Sequence, residues 1–237
     1  MEKALLLTSW ALSVSLPAAS LLTDGHMDGP AFGYVSEADV TANPSLTQGF
    51  EPHFHNEGGA DGAVIDGSAV TTESEYDPSD LVIVVPQTST ITVASTNYYW
   101  LPETEQDAAN QGAPFLGLGL EELVGTDWVG GLTISLNSIN GPGNFRLWQD
   151  DGFGGANIFL DSNDPSKSSF ELLAGSHTHY NWGFTALGTY QLEFGISGTH
   201  VDDGLQSGSG TYTFLVPEPS TALLGALASI GLLRRRR

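Results

Sequence analysis

The sequence predicts an all-β protein, a single jelly-roll-like β-sandwich, on three observations. Apolar and polar residues alternate in several segments, which is the period of a strand with one buried face. The chain contains 29 Gly and 12 Pro, a composition typical of many tight turns. No stretch between the two chain ends has the period of an amphipathic helix, so the pattern favours about ten short strands.

The clearest strands lie in the second half of the chain. Residues 190–197 alternate strictly, with Tyr, Leu, Phe and Ile on one face, and residues 132–137 behave in the same way. The segment 212–216 predicts a last strand before the C-terminal tail. Residues 81–85 form a continuous apolar run, which predicts a strand buried on both faces.

The remaining segments predict loops and turns. Residues 24–72 are rich in Gly and Asp and predict short strands with long loops, while 101–114 predicts a surface loop. Turn residues cluster at 140–144, 150–152 and 161–165. The two Asp-rich clusters do not follow the spacing of an EF-hand calcium loop, so they are interpreted as turns.

The charge balance excludes several classes of partner. Arg146 and Lys167 are the only basic residues between the two ends, against 26 acidic ones, so the formal charge of residues 21–216 is about −24. Such a surface repels nucleic acid and anionic lipid headgroups. The acidity fits either solubility in salty surroundings or attraction of cations. With no cysteine, disulfides, thiolate metal sites and thiol nucleophiles are excluded.

The first 20 residues have the pattern of a secretory signal peptide. Lys3 precedes an apolar stretch over 4–16, which is too short to span a bilayer. Small residues follow it, and we expect cleavage near Ser20, with Ala18 in the small-residue motif and Ala19 as the competing position. The mature domain then covers residues 21–215. A buried N-terminal helix is the alternative.

The last 22 residues, 216–237, predict a second processed segment. It begins at Val216, Pro217, Glu218 and Pro219, continues as an apolar stretch over 221–233, and ends in Arg234, Arg235, Arg236 and Arg237. A helix of that apolar length reaches about 20 Å, against a hydrocarbon core of about 30 Å. The arginines favour a cytoplasmic end. A plain membrane anchor is the alternative.

This tail resembles the PEP-CTERM sorting signal in all three parts. The resemblance implies an exported protein of a Gram-negative bacterium that makes an exopolysaccharide. Signal peptidase would remove the N-terminal segment, and an exosortase would cut the tail at the inner membrane. The product would then reach the cell surface or the extracellular matrix.

Two histidine pairs are the most informative local feature. His53 and His55 flank Phe54, and His177 and His179 flank Thr178. Residues i and i+2 of a strand face the same side, about 6.5–7 Å apart, so two imidazoles can converge on one ion. We expect the two pairs to share one site, as four nitrogen ligands or as three plus water.

The residues that follow the second pair predict the direction in which its imidazoles point. His177, His179 and Asn181 fall on one face of the predicted strand, while the aromatic residues at 180, 182 and 184 fall on the other and predict core. His26 and Asp28 add a further pair of ligands, the carboxylate either binding metal directly or orienting an imidazole. Solvent-facing histidines bonded to nearby carboxylates are the structural alternative.

The residues from about 24 to 216 also resemble a known family. The stretches GSHTHYNWGFTALGTYQLEFGISG, DPSDLVIVVP and WLPETEQDAANQGAPFLGLGLEEL are similar to the choice-of-anchor M family and its surface-anchored protein domain of actinobacterial cell walls. The resemblance implies capture or relay of a divalent metal such as zinc, with a metal ABC transporter system as a partner. This chain departs from those relatives in having one domain copy and a different tail.

Nucleophilic catalysis has weak support in the motifs, and Asp and Glu are too abundant for carboxylate pairs to indicate or exclude glycoside hydrolysis. The sequence has no GxSxG elbow, no cysteine and no complete phosphate-binding glycine loop. The predicted function is therefore non-enzymatic: divalent metal binding through the paired histidines. The alternative is a structural or carbohydrate-binding component of the extracellular polysaccharide matrix.

Overall fold

The structure is a computed structural model that describes residues 19–218. The body of the signal peptide with Ala18, and the tail from Pro219 through the four arginines, lie outside the described residues. Within them 55% of the residues are in strands and 10% in helices, so the β-rich prediction is confirmed. No helix among residues 19–218 is long and apolar enough to cross a membrane.

The described residues form eighteen strands and two short α-helices. The strands are β1 Ser20–Asp24, β2 His26–Val35, β3 Gly49–Asn56, β4 Val64–Ile65, β5 Ser68–Ala69, β6 Ser74–Tyr76, β7 Leu81–Val84, β8 Thr90–Val93, β9 Thr96–Leu101, β10 Phe115–Gly119, β11 Leu132–Asn140, β12 Phe145–Asp150, β13 Ala156–Asp161, β14 Ser169–Leu172, β15 His177–His179, β16 Asn181–Phe184, β17 Gly188–His200 and β18 Gly204–Val216. The helices are α1 Glu37–Ala42 and α2 Glu105–Gln111. Single 3₁₀ turns occupy Gly125–Asp127 and Pro165–Lys167.

The strands form three sheets. The large sheet has the order β14-β11-β17-β18-β7-β1-β4-β5, the site sheet β15-β10-β2-β3-β6, and the side sheet β13-β12-β16-β9-β8. The β1–β7, β7–β18 and β2–β10 pairs are parallel. The prediction of about ten strands in a two-sheet jelly roll therefore differs from the structure. Strands of two to four residues are too short to show alternation in a sequence.

The core lies between the large sheet and the other two. Tyr190, Leu192, Phe194 and Ile196 of β17 are all buried, as the alternation predicts. On the neighbouring strand β18, two aromatic residues join the sheets. Tyr212 packs edge-on against Phe54 of the site sheet, with ring centroids 5.0 Å apart, and Phe214 packs against Trp182 of the side sheet, with centroids 5.7 Å apart. One hydrophobic core therefore serves all three sheets.

The β7 strand differs from its prediction. Leu81 and Ile83 are buried against the core, but Val82 and Val84 are only half-buried, so one face of this strand is partly accessible. An apolar run therefore did not mean burial on both faces. The parallel neighbours β1 and β18 cover its edges and not its outer face.

The predicted loop over 101–114 contains the helix α2. The Thr104 hydroxyl accepts a hydrogen bond from the Asp107 backbone N–H, and Gly112 ends the helix in the left-handed conformation, with φ of 60°. A helix of seven residues is too short to show a periodic pattern. The loop prediction is wrong at this position for that reason.

The segment 24–72 is more regular than predicted. Its strands β2 and β3 have ten and eight residues and form the middle of the site sheet. Glycines and acidic residues masked their alternation, since β2 reads HMDGPAFGYV. Those small and acidic residues line the face described next.

Candidate metal centre

Histidines and acidic residues line one face of the site sheet. Residues that are directly paired across a sheet point to the same side. One such row runs from β15 to β3 through His179, Gly117, Asp28 and His55. The neighbouring row on the same face contains His177, Gly119, Ala31 and His53. All four histidines of the predicted pairs therefore share this face.

Gly117 makes room for a contact across β10. The strands β15 and β2 both pair with β10, so they lie about 10 Å apart. A Cβ atom at Gly117 would overlap Asp28 Oδ1 and come within 2.9 Å of His177 Nε2. Because glycine leaves that space empty, side chains from β15 and β2 meet above β10.

Four ligand groups converge there. His26, Asp28, His177 and His179 each offer a nitrogen or oxygen atom, and these atoms all lie within 4.8 Å of one another. His177 Nε2 lies 2.9 Å from Asp28 Oδ1 and 2.9 Å from His179 Nε2. His26 Nε2 lies 3.5 Å from the same Asp28 oxygen. We call these four residues the Asp28 cluster.

The Asp28 carboxylate is buried without a hydrogen bond. The residue is 0% exposed, and neither carboxylate oxygen has a hydrogen-bond partner among the described residues. The His177 ring is close to it, but the contact lacks hydrogen-bond geometry. His26 Nε2 and His179 Nδ1 are also buried and unpartnered. Buried polar groups without partners are costly, and two of these atoms, His26 Nε2 and Asp28 Oδ1, lie 3.5 Å apart, so their approach indicates a site for a cation.

The charges of the cluster shift its pKa values in opposite directions. The Asp28 carboxylate raises the pKa of His177 to about 8, against the opposing effect of burial, and Glu121 and Glu57 add to the rise. Burial alone would raise the pKa of Asp28, but His177 and His26 outweigh it and hold that pKa below its usual range. Asp28 is therefore an anion, the state in which a carboxylate binds a metal.

His179 is held as a neutral ring. Burial lowers its pKa to about 4, and the nearby His177 and His26 act in the same direction. Its imidazole stacks on Phe115, with centroids 3.6 Å apart and planes within 6° of parallel. The packing fixes the orientation of the ring, and the neutral form keeps a nitrogen lone pair available as a ligand.

Two glutamates that the sequence analysis missed form the outer edge of the cluster. Glu121 Oε1 lies 2.8 Å from His177 Nδ1, and Glu57 Oε2 lies 3.6 Å from His26 Nδ1. Carboxylates on the second nitrogen of an imidazole orient metal-ligating histidines. Burial raises the pKa of Glu121, and the nearby Asp28 raises it further. Glu57 follows β3 and Glu121 follows β10, the two strands that flank β2 in the site sheet.

The two histidine pairs do not converge on one ion. His53 belongs to a different group, with Glu75 and Glu122, and the four-histidine site expected from the sequence is not formed. The strands β15 and β3 are separated by β10 and β2, which is about 14 Å. The two pairs lie on one face of the sheet, but the ligand groups that lie close to His177 and His179 are His26 and Asp28.

The aromatic face predicted for the second pair is confirmed. Tyr180, Trp182 and Phe184 are buried in the core, while His177 and His179 point away from it. Asn181 is buried as well, and its side-chain oxygen accepts a hydrogen bond from the Glu103 backbone N–H. The Asn181 side chain therefore stabilises the fold and does not take part in the Asp28 cluster.

The sixth histidine lies elsewhere. His200 is buried against Tyr34 and Trp128, and its Nδ1 accepts hydrogen bonds from the backbone N–H groups of Asp202 and Asp203. His200 therefore has a structural role, because backbone N–H groups satisfy its Nδ1 atom.

No protein-family model, no curated protein and no solved structure matches this chain. The chemistry of the residues on the site sheet is therefore what points to a function.

Proposed function

We propose that this protein is a non-enzymatic binding protein for a divalent, zinc-like metal ion, held by His26, Asp28, His177 and His179. The single observation that carries the proposal is the fully buried Asp28 carboxylate, which faces three imidazoles with both oxygens unpartnered. A divalent cation between them would satisfy the carboxylate and accept the lone pairs of the rings.

The spacing of the ligand atoms supports a tetrahedral ion. Zinc bonds of about 2.0–2.1 Å place neighbouring ligands of a tetrahedron about 3.3 Å apart. The two His177 contacts measure 2.9 Å, and the contact between His26 and Asp28 measures 3.5 Å. Shifts of a few tenths of an ångström would bring these three of the six distances to that edge length, and the other three are within 4.8 Å. Three nitrogen ligands and one oxygen ligand suit zinc better than calcium or magnesium, which prefer oxygen.

The surface charge supports the same ligand class. The formal net charge of the chain is −21, and Glu57 and Glu121 lie at the outer edge of the cluster with side chains that are 50% and 30% exposed. An acidic rim raises the local concentration of cations. These glutamates would attract the ion, and the buried carboxylate would bind it.

We also propose that the chain is exported and surface-sorted, as its two end segments and its resemblance to the choice-of-anchor M family imply. Ser20 is the first residue of β1 and Val216 is the last residue of β18, so the predicted cleavage near Ser20 and the predicted tail from Val216 fall at the ends of these two strands. Signal peptidase and an exosortase are the proposed processing partners. Extracellular polysaccharide or a metal transporter system is the proposed partner at the surface.

Metal analysis of the purified full-length chain tests the binding function. We expect one tightly bound zinc ion per chain in the Asp28 cluster, measured by native mass spectrometry and by calorimetry. The double variant His177→Ala, His179→Ala should lose that ion, while His200→Ala, a matched control that removes a histidine outside the cluster, should keep it.

Two results would contradict the proposal. A chain that binds no zinc, nickel, copper or cobalt under these conditions would remove the metal function. A metal-free chain that instead sediments with bacterial exopolysaccharide would favour the matrix-component alternative.

A further inference from the structure

The other histidine pair lies on the same face, one strand beyond the Asp28 cluster. His53 and His55 belong to β3, which pairs with β2 on one side and with β6 on the other. Glu75 of β6 is directly opposite His55 in that pairing. Glu122 reaches this place from the segment that follows β10. His53, Glu75 and Glu122 offer ligand atoms that lie within 4.8 Å of one another.

His53 is oriented with a free nitrogen toward these acids. Its Nδ1 lies 2.9 Å from the Glu51 carbonyl oxygen. A carbonyl can only accept, so Nδ1 carries the proton and donates. In the neutral ring Nε2 therefore has a lone pair, and Glu122 Oε1 lies 3.3 Å from it. A lone pair and a carboxylate at that distance repel unless a proton or a metal cation lies between them.

The burial of His53 makes this arrangement significant. Its side chain is 10% exposed, and its Nε2 lies in contact with the Glu122 carboxylate. A ring nitrogen fixed by a backbone carbonyl on one side, with the other nitrogen free, is the usual arrangement of a metal-ligating histidine. The Glu122 side chain is 36% exposed, which leaves an approach from solvent.

Gly33 keeps the space between these groups open. A Cβ atom at this position would come within 2.7 Å of Glu122 Oε2 and 3.8 Å of His53 Cε1. Gly33 pairs with Glu51 in the β2–β3 ladder, one strand away from His53. It therefore plays the part here that Gly117 plays in the Asp28 cluster.

His55 lies at the margin of the group. Its Nδ1 is 3.9 Å from Glu122 Oε1, and its Nε2 is 3.5 Å from Glu73 Oε1. The rings of His53 and His55 are 6.4 Å apart, centroid to centroid. His55 is thus placed to add a ligand after a small movement of its ring, or to hold Glu122 in position.

We propose that the site sheet binds a second divalent metal ion, held by His53, Glu75 and Glu122. This inference rests on the proposed metal-binding function but concerns residues that the Asp28 cluster does not share. The second ion has fewer nitrogen ligands and more exposed carboxylates, so water completes its coordination. It is bound more weakly than the ion of the Asp28 cluster and exchanges faster with solvent.

A zinc titration of the full-length protein tests this proposal. We expect two ions per chain, in two resolved steps that differ at least about tenfold in affinity. The variant His53→Gln with Glu122→Gln should lose the weaker step and keep the tighter one. His177→Ala with His179→Ala should do the reverse. Gly33→Ala should weaken only the second step, and His200→Ala should keep both.

The possible outcomes separate the two proposals. One ion per chain, unchanged by the His53 and Glu122 variant, overturns the second site and leaves the first. No ion at all overturns both. Circular dichroism of each variant shows that a lost step reflects lost ligands and not an unfolded chain, and if the double variant is unfolded, Gly33→Ala decides the question.

Discussion

The two histidine pairs have the same spacing but different surroundings, and the comparison shows what makes a histidine pair a ligand set. His177 and His179 lie beside a glycine of β10 and reach a fully buried carboxylate on the next strand. His53 and His55 lie beside β2, and their rings face glutamates with exposed side chains. The spacing of the two pairs is identical, so the neighbouring strands decide how deeply each site is buried and how tightly it binds an ion.

Replacement of the buried carboxylate should have the largest effect. Asp28→Asn keeps the shape of the side chain but removes its charge, so we expect zinc affinity of the tighter step to fall more than about 100-fold. Competition with a chromophoric chelator measures this. The control Asp24→Asn removes an exposed carboxylate from the preceding strand and should leave the affinity unchanged.

Wild-type affinity in Asp28→Asn would show that the imidazoles alone hold the ion. The difference between the two histidine pairs would then come from ring geometry and not from a buried charge.

Acidification should produce the next largest effect. The pKa of His177 is raised from 6.5 to about 8, and a metal must displace that proton. Zinc affinity should therefore fall as the pH drops below 8, approaching about tenfold per pH unit and reaching about 50-fold from pH 8 to pH 6. Calorimetry in buffers of different ionisation enthalpy measures the released proton directly.

Without metal, the contribution of His177 to the stability of the fold has the opposite pH dependence: it decreases as the pH rises. A histidine whose pKa is raised by folding stabilises the fold fully below pH 6.5, and that contribution is lost as the pH rises through about 8. The zinc-dependent gain in melting temperature should thus grow from pH 6 to pH 8. An equal gain at both values would contradict the ligand role of His177.

Filling the space above β10 should have a smaller effect. The Cβ atom in Gly117→Ala would overlap Asp28 Oδ1 and come within 2.9 Å of His177 Nε2, so it should separate the ligands and lower zinc affinity by about tenfold or more. In the control Gly125→Ala the nearest atom would be 3.7 Å away, and affinity should not change. Equal affinities in the two variants would mean that β15 and β2 do not need to meet across β10.

The smallest expected effect on the tighter step is that of replacing His55, a member of the other histidine pair. His55 is directly opposite Asp28 in the β2–β3 ladder, yet its ring faces Glu73 and Glu122. His55→Ala should therefore change the affinity of the tighter step by less than about threefold, since its ring is not among the groups that converge in the Asp28 cluster. A loss as large as that of His177→Ala would show that the two pairs form one site.

Much of the fold could be predicted from local pattern. The alternation in β17 and β11, the aromatic face at 180, 182 and 184, and the orientation of His177 and His179 all follow from the period of a strand, and the structure confirms them. The strand count, the helix α2 and the exposure of Val82 could not be predicted in this way. Short elements carry too few residues for a period to show, and an apolar run does not reveal which face a neighbouring sheet will cover.

By itself the sequence determined the residue types: an acidic β protein without cysteine, whose histidines occur in strand-spaced pairs with His26 and Asp28 as added ligands. Only the tertiary structure decided which of them meet. Residues more than a hundred positions apart, such as Asp28 and His177, become neighbours because β2 and β15 pair with the same glycine-bearing strand, β10. Strand order sets distances of about 5 Å per step, so it decides which ligands can reach one ion.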